Sequence, residues 1–114
     1  MVIKALRIDP DIAPDLVAPV HKATTELEHV VGDAAERVGV VWTPGLPDAD
    51  LHPTVMLSLS DKGVERRQEF TADTFREEWV LQLSLRKLWD DVLAERMRLQ
   101  WQKVIDSFGE SGED

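Results

Sequence analysis

The chain has 114 residues, a formal net charge of −9, no cysteine and 43% hydrophobic residues. Its length fits one domain with a real core, and the absence of cysteine excludes a disulfide framework, a thiolate zinc site and a cysteine nucleophile. Acidic residues outnumber basic ones in both halves, whereas phosphate contacts need clustered Lys and Arg. No apolar run approaches the roughly 20 residues of a membrane-spanning helix. We therefore expect a soluble domain that binds neither nucleic acid nor membranes.

The sequence organisation predicts a single α+β domain over residues 1–108, followed by a disordered acidic tail over residues 109–114. The first residues lack the basic region and apolar core of a signal peptide. We therefore expect a cytoplasmic location.

The N-terminal third predicts a strand, a helix and a second strand. Residues 2–8 have strand character and end at an Asp-Pro-Asp turn. Apolar residues then recur at helical spacing up to Gly32, although Pro19 leaves the start of this helix open by about one turn. Residues 37–42 predict a largely buried strand. The helical stripe consists of Leu16, Val20, Ala23, Leu27 and Val30.

A loop rich in proline follows over residues 43–53. Loops of this length are often binding elements, and a surface meander is an equally good interpretation. His52 lies close to Asp48 and Asp50 in the sequence, so a small ligand-binding protein or enzyme using this loop is our alternative functional hypothesis. That hypothesis predicts a concave pocket beside the loop.

The next two strands predict a hairpin. Residues 54–60 alternate between apolar and polar side chains, and the Asp-Lys-Gly sequence at 61–63 is a turn signal. The return strand, residues 64–70, is mostly charged, which suits a protected sheet edge. The predicted order is β-α-β-β-β-α, a small antiparallel sheet with two helices on one face and a long C-terminal helix.

The order of the last five elements resembles that of double-stranded-RNA-binding domains. Such domains need a basic start to the second helix, whereas residues 71–78 are acidic here. Size and charge are similar to those of small dimeric secretion chaperones, but no residue motif supports a relationship. The sequence therefore identifies no family.

Catalytic motifs are missing from the sequence. There is no Gly-x-Ser-x-Gly nucleophile motif and no glycine-rich phosphate loop. The histidines His21 and His29 have acidic neighbours at helical spacing, which is usual for solvated helix surfaces. We predict no catalytic residue, no cofactor and no bound metal, and hence a protein that is not an enzyme.

Residues 71–108 contain neither glycine nor proline and predict one long helix or two in tandem. A Thr-x-x-Glu pattern starting at Thr74 offers a capping box, and Thr71 is an alternative N-cap. Gly109 supplies a predicted C-terminal stop.

This helical segment carries two apolar stripes. The first comprises Leu81, Leu85, Leu88, Trp89 and Val92. The second comprises Leu93, Met97, Trp101, Val104, Ile105 and Phe108, and Phe75, Trp79 and Leu83 lie on the same side. On a straight helix the two stripes point roughly 150° apart, whereas an ordinary amphipathic helix has one.

A second stripe needs a second partner. We therefore predict that residues 93–108 bind either another copy of the chain, forming a homo-oligomer that we expect to be a dimer, or another protein. The alternative is a kink near Ala94 that folds this half back onto the domain's own sheet.

Overall fold

The computed structural model describes residues 2–112, with side chains through residue 108. In this range the α+β class and the long C-terminal helix are confirmed. The elements are β1 (Ala5–Ile8), α1 (Pro14–Val31), a 3-10 helix (Gly32–Glu36), β2 (Gly39–Pro44), β3 (Thr54–Asp61), β4 (Val64–Thr71), α2 (Ala72–Arg76) and α3 (Glu78–Gly112).

The four strands form one sheet in the order β1-β2-β3-β4. Strands β2, β3 and β4 pair antiparallel, as predicted, but β1 pairs parallel with β2. The sheet is therefore mixed rather than antiparallel throughout. The physical reason is the connection: α1 carries the chain back along the sheet, so β2 starts at the same end as β1.

The predicted hairpin joins β3 and β4. Lys62 and Gly63 both have positive φ, at 49° and 85°, as the tight turn between twisted strands requires. The charged strand β4 lies at one edge of the sheet, in agreement with its sequence.

A single buried cluster fills the space between the sheet and the two long helices. The first stripe of α3, from Leu81 to Val92, belongs to this cluster, as predicted. Helix α1 contributes Leu16, Val20, Ala23, Leu27 and Val31. Both helices therefore cover the same face of the sheet.

Trp42 has the largest fully buried side chain of this core. Its indole Nε1 donates a hydrogen bond of 3.0 Å to Thr24 Oγ1. The Thr24 hydroxyl in turn donates to the carbonyl of Val20 at 2.9 Å. One threonine on α1 thus satisfies the only polar atom of the tryptophan side chain.

Replacing Thr24 by valine leaves the buried indole N–H without an acceptor. We expect Thr24→Val to lower the free energy of unfolding by about 1–2 kcal/mol, the usual cost of an unsatisfied buried donor. Thr25→Val is the matched control, because Thr25 is exposed and its hydroxyl donates to the His21 carbonyl at 3.3 Å. Urea unfolding measures both changes, and equal losses of stability would contradict this role of Thr24.

The predicted helical segment after β4 consists of two helices in tandem. Thr71 is the N-cap of α2, and its hydroxyl accepts the backbone N–H of Thr74 at 3.4 Å. Glu77 has an extended backbone and separates α2 from α3. Helix α3 continues past the predicted stop at Gly109 to Gly112, so the predicted tail at 109–114 overlaps its last turn, and residues 113–114 lie outside the described residues.

Helix α3 is longer than the body that it covers. At 1.5 Å per residue its 35 residues span about 52 Å. The structure extends 62 Å along its longest axis, and its radius of gyration is 17.0 Å. A compact chain of this length has a radius of gyration of about 13 Å. The end of α3 therefore projects from the domain, and we call residues 97–108 the arm.

Candidate partner-binding site

The arm begins where α3 leaves the core. Val92 is fully buried, and Leu93 is the last apolar residue that packs, in part, against the cluster. Leu93 therefore lies half-buried at the root of the arm, and its predicted part in partner binding stays a prediction.

Asp61 at the end of β3 anchors this root. Its side chain is 0% exposed, and Arg96 Nη1 donates to its Oδ2 at 2.9 Å. Arg37 Nε donates to Oδ1 of the same carboxylate at 3.0 Å. One buried carboxylate thus joins α3 to the hairpin and to the segment before β2.

A second ion pair lies beside the first. Arg66 Nη2 on β4 is 3.2 Å from Glu95 Oε2, and Arg98 Nη2 is 2.6 Å from Glu95 Oε1. The hydrogen bond from Arg98 lowers the pKa of Glu95, which keeps the carboxylate charged. Together the two clusters fix the direction in which the arm leaves the domain.

The apolar side chains of the arm are exposed to solvent. Relative exposure is 59% for Met97, 63% for Trp101 and 73% for Phe108, and Val104 and Ile105 are also exposed. Since α3 runs without interruption through Ala94, the expected alternative of a kink that folds this half onto the sheet is wrong. Five of the six predicted partner-binding residues form one uncovered stripe.

The same side of α3 is also exposed at the other end of the helix. Trp79 and Leu83 line a groove of about 480 Å³ between α3 and α1. Glu26 and His29 of α1 form its opposite wall, and Gln82 Nε2 donates to Glu26 Oε2 at 3.4 Å. The sequence pattern placed Trp79 and Leu83 on the second stripe, but it could not show that α1 leaves them uncovered.

The loop before β3 forms a compact turn around Asp48. Its Oδ1 accepts the backbone N–H groups of Asp50 and His52, each at 2.9 Å, and its Oδ2 is 3.4 Å from His52 Nδ1. The side chains of Asp48, Asp50 and His52 approach within 4.8 Å of one another. These contacts within the loop account for the cluster as turn chemistry.

A surface groove of about 530 Å³ lies beside this loop, as the ligand-binding hypothesis expected. Asp48 and His52 line one side, and Phe75 and Arg76 of α2 line another. The side chains of Asp50 and His52 remain largely exposed.

The Asp48 turn should weaken in acid. The hydrogen bond from the backbone of His52 is the main cause that lowers the pKa of Asp48 below its ordinary value of 3.8. A lowered folded-state pKa means that the ionised carboxylate stabilises the turn above pH 3.8, and that this stabilisation is lost as pH falls through the lowered pKa. We expect the Asp50 and His52 amide NMR shifts to change together below pH 3.8. Asp48→Asn should abolish this transition, and a shared midpoint above that pH would contradict it.

No helix within residues 2–112 is both long enough and apolar enough to cross a membrane. Comparisons with protein families, with curated proteins and with solved structures find no match to this chain.

Proposed function

We propose that this protein is a non-enzymatic interaction module that self-associates through the arm of α3. The observation that carries the proposal is the stripe of Met97, Trp101, Val104, Ile105 and Phe108, which projects beyond the domain with its apolar side chains in solvent. Aromatic residues of this kind contribute most to the energy of protein interfaces.

The size of the stripe supports an interface. If an aromatic side chain buries about 150–250 Å², the five residues offer on the order of 600 Å² of apolar surface per chain. Monomeric proteins rarely expose a larger contiguous apolar patch, and two such surfaces together reach about 1,200 Å², the lower limit for specific complexes.

Two-fold symmetry favours a second copy as the partner. Most homo-oligomers are symmetric, and a two-fold axis lets both arms be covered at once. Arg98 and Lys103 balance Asp106 and Glu110 over residues 97–112, so this end of the helix carries no net charge that would repel a second copy.

Ligand binding at the loop of residues 43–53 is the second candidate function, supported by the adjacent groove. The Asp48 carboxylate already accepts two backbone hydrogen bonds, and the groove is open to solvent on the side of Asp50 and His52. The arm offers the larger apolar surface, so we rank self-association first.

Co-purification of two differently tagged copies tests the proposal. When both copies are expressed together, we expect each tag to retain the other copy, and we expect the retention to be lost when the captured copy carries Trp101→Asp. Absence of the second copy at micromolar concentrations would contradict self-association. A different protein retained in its place, and released by the same substitution, would instead favour docking on another partner.

A further inference from the structure

The exposed stripe of α3 can be divided at the midpoint between Leu93 and Ala94. Its residues pair at equal distances on either side of that midpoint: Trp79 with Phe108, Leu83 with Val104, Arg86 with Trp101, and Asp90 with Met97. At 100° per residue all of them fall within about 50° of one line along the helix. Apolar residues thus pair with apolar residues at both ends, and in the centre the polar Arg86 and Asp90 come opposite Trp101 and Met97.

We infer that two copies associate as an antiparallel pair of α3 helices whose two-fold axis passes between Leu93 and Ala94. The arm of each copy then covers Trp79 and Leu83 in the groove of the other. This inference rests on the proposed self-association and adds its geometry. In an isologous interface each patch contacts the same patch of the other copy. On two antiparallel helices the residues must therefore pair in reverse order.

The charges agree with this register. Arg98 of one copy, whose guanidinium also binds Glu95 of its own chain, comes beside Asp90 and Asp91 of the other, within two residues of the exact pairing. Arg86 comes opposite Trp101, where a guanidinium can lie over the indole face. In the isolated chain both Asp90 and Arg86 are exposed, and among the described residues neither forms an ion pair. The pairing gives Arg86 the indole of Trp101 and brings Asp90 near Arg98 of the other copy.

Buried area also favours the full-length pair over contact between the arms alone. Arm-to-arm contact leaves Trp79 and Leu83 uncovered, with Trp79 63% exposed. Including both ends raises the apolar surface buried by two copies to roughly 1,700 Å², the usual size of a stable specific interface. The apolar wall of the groove between α3 and α1, formed by Trp79 and Leu83, then has an occupant.

Disulfide trapping tests this register, because the chain contains no cysteine of its own. With helix axes about 9 Å apart, the Cα atoms of two copies of residue 94 lie roughly 6 Å from each other, within disulfide range. Two copies of residue 105 lie about 34 Å apart along the axis. We therefore expect Ala94→Cys to form a covalent dimer on mild oxidation, and Ile105→Cys to remain a single chain.

A mixture of two further variants tests the ends of the pair. Residues 83 and 104 face each other only between copies, so Leu83→Cys mixed with Val104→Cys should cross-link, and either variant alone should not. Yields of the mixed dimer about tenfold above those of the single variants are expected.

The outcomes separate this inference from the function on which it rests. If Ile105→Cys cross-links in a chain that sediments as a dimer, the antiparallel register is overturned and self-association stands. This holds whether or not the separate variant Ala94→Cys also cross-links. Absence of every cross-link in such a dimer would also overturn the register. A single-chain mass for the unaltered protein would overturn both.

Discussion

Trp101→Asp should weaken self-association by at least about 100-fold, which corresponds to about 3 kcal/mol. The substitution removes the largest apolar side chain of the stripe and puts a carboxylate in its place. In the antiparallel register this carboxylate faces Arg86 of the other copy, but such an ion pair recovers at most about 1 kcal/mol. Trp101 is 63% exposed and lies outside the core, so the stability of the isolated domain should hardly change. Sedimentation velocity over a dilution series measures the dissociation constant, and urea unfolding measures stability.

Gln102→Asp is the matched control. It introduces the same charge one residue further along the helix, on the side away from the stripe. Gln102 Nε2 donates to Asp106 at 3.0 Å, so this variant loses a surface contact and places two carboxylates one turn apart, at a cost of a few tenths of a kcal/mol. An equal effect of the two variants on association would show that overall charge, rather than the stripe, governs the dissociation constant.

Asp61→Ala should be the most destabilising of the substitutions proposed for the folded domain. Its carboxylate is fully buried and accepts hydrogen bonds from Arg96 and Arg37. Removing it leaves Arg96, whose side chain is 16% exposed, without its partner at the root of the arm. We expect a loss of about 3 kcal/mol in the free energy of unfolding, because an unpaired charge then remains in a mostly buried site.

Asp73→Ala provides the comparison. Asp73 also pairs with an arginine, at 2.9 Å to Arg76, but both side chains are largely exposed. Such surface pairs contribute at most about 1 kcal/mol, so this variant should unfold almost as the parent does. If Asp61→Ala cost no more than Asp73→Ala, the buried carboxylate would not be what fixes the root of the arm.

Periodicity in the sequence was sufficient to predict the element order and the two stripes of α3. Leu81 and Val92 face the core because they share one arc of the helix, and Trp101 and Phe108 share the opposite arc. Spacing along a helix is local information, so it is available from the chain alone.

Other features depend on contacts between distant residues. Asp61 has the appearance of a turn residue in the sequence, yet Arg37 and Arg96, at separations of 24 and 35 residues, make it a buried anchor. The parallel pairing of β1 likewise follows from the path of α1 over the sheet. Gly109 did not stop α3, because glycine disfavours a helix by only about 1 kcal/mol and does not forbid it.

The unbroken course of α3 decides between the two explanations of the second stripe and makes it a candidate interface. The sequence allowed either a kink near Ala94 or a partner, and α3 has no break there. Fixing the root through Arg96 and Glu95 directs the arm away from the sheet, so among the described residues the stripe from Met97 to Phe108 stays exposed.

Sedimentation equilibrium of the unaltered protein tests the central claim most directly. One chain has a mass of 12.9 kDa. Self-association through the stripe predicts a mass of twice that value at micromolar concentration, which falls toward 12.9 kDa on dilution. A mass of 12.9 kDa at every concentration up to the millimolar range would contradict it.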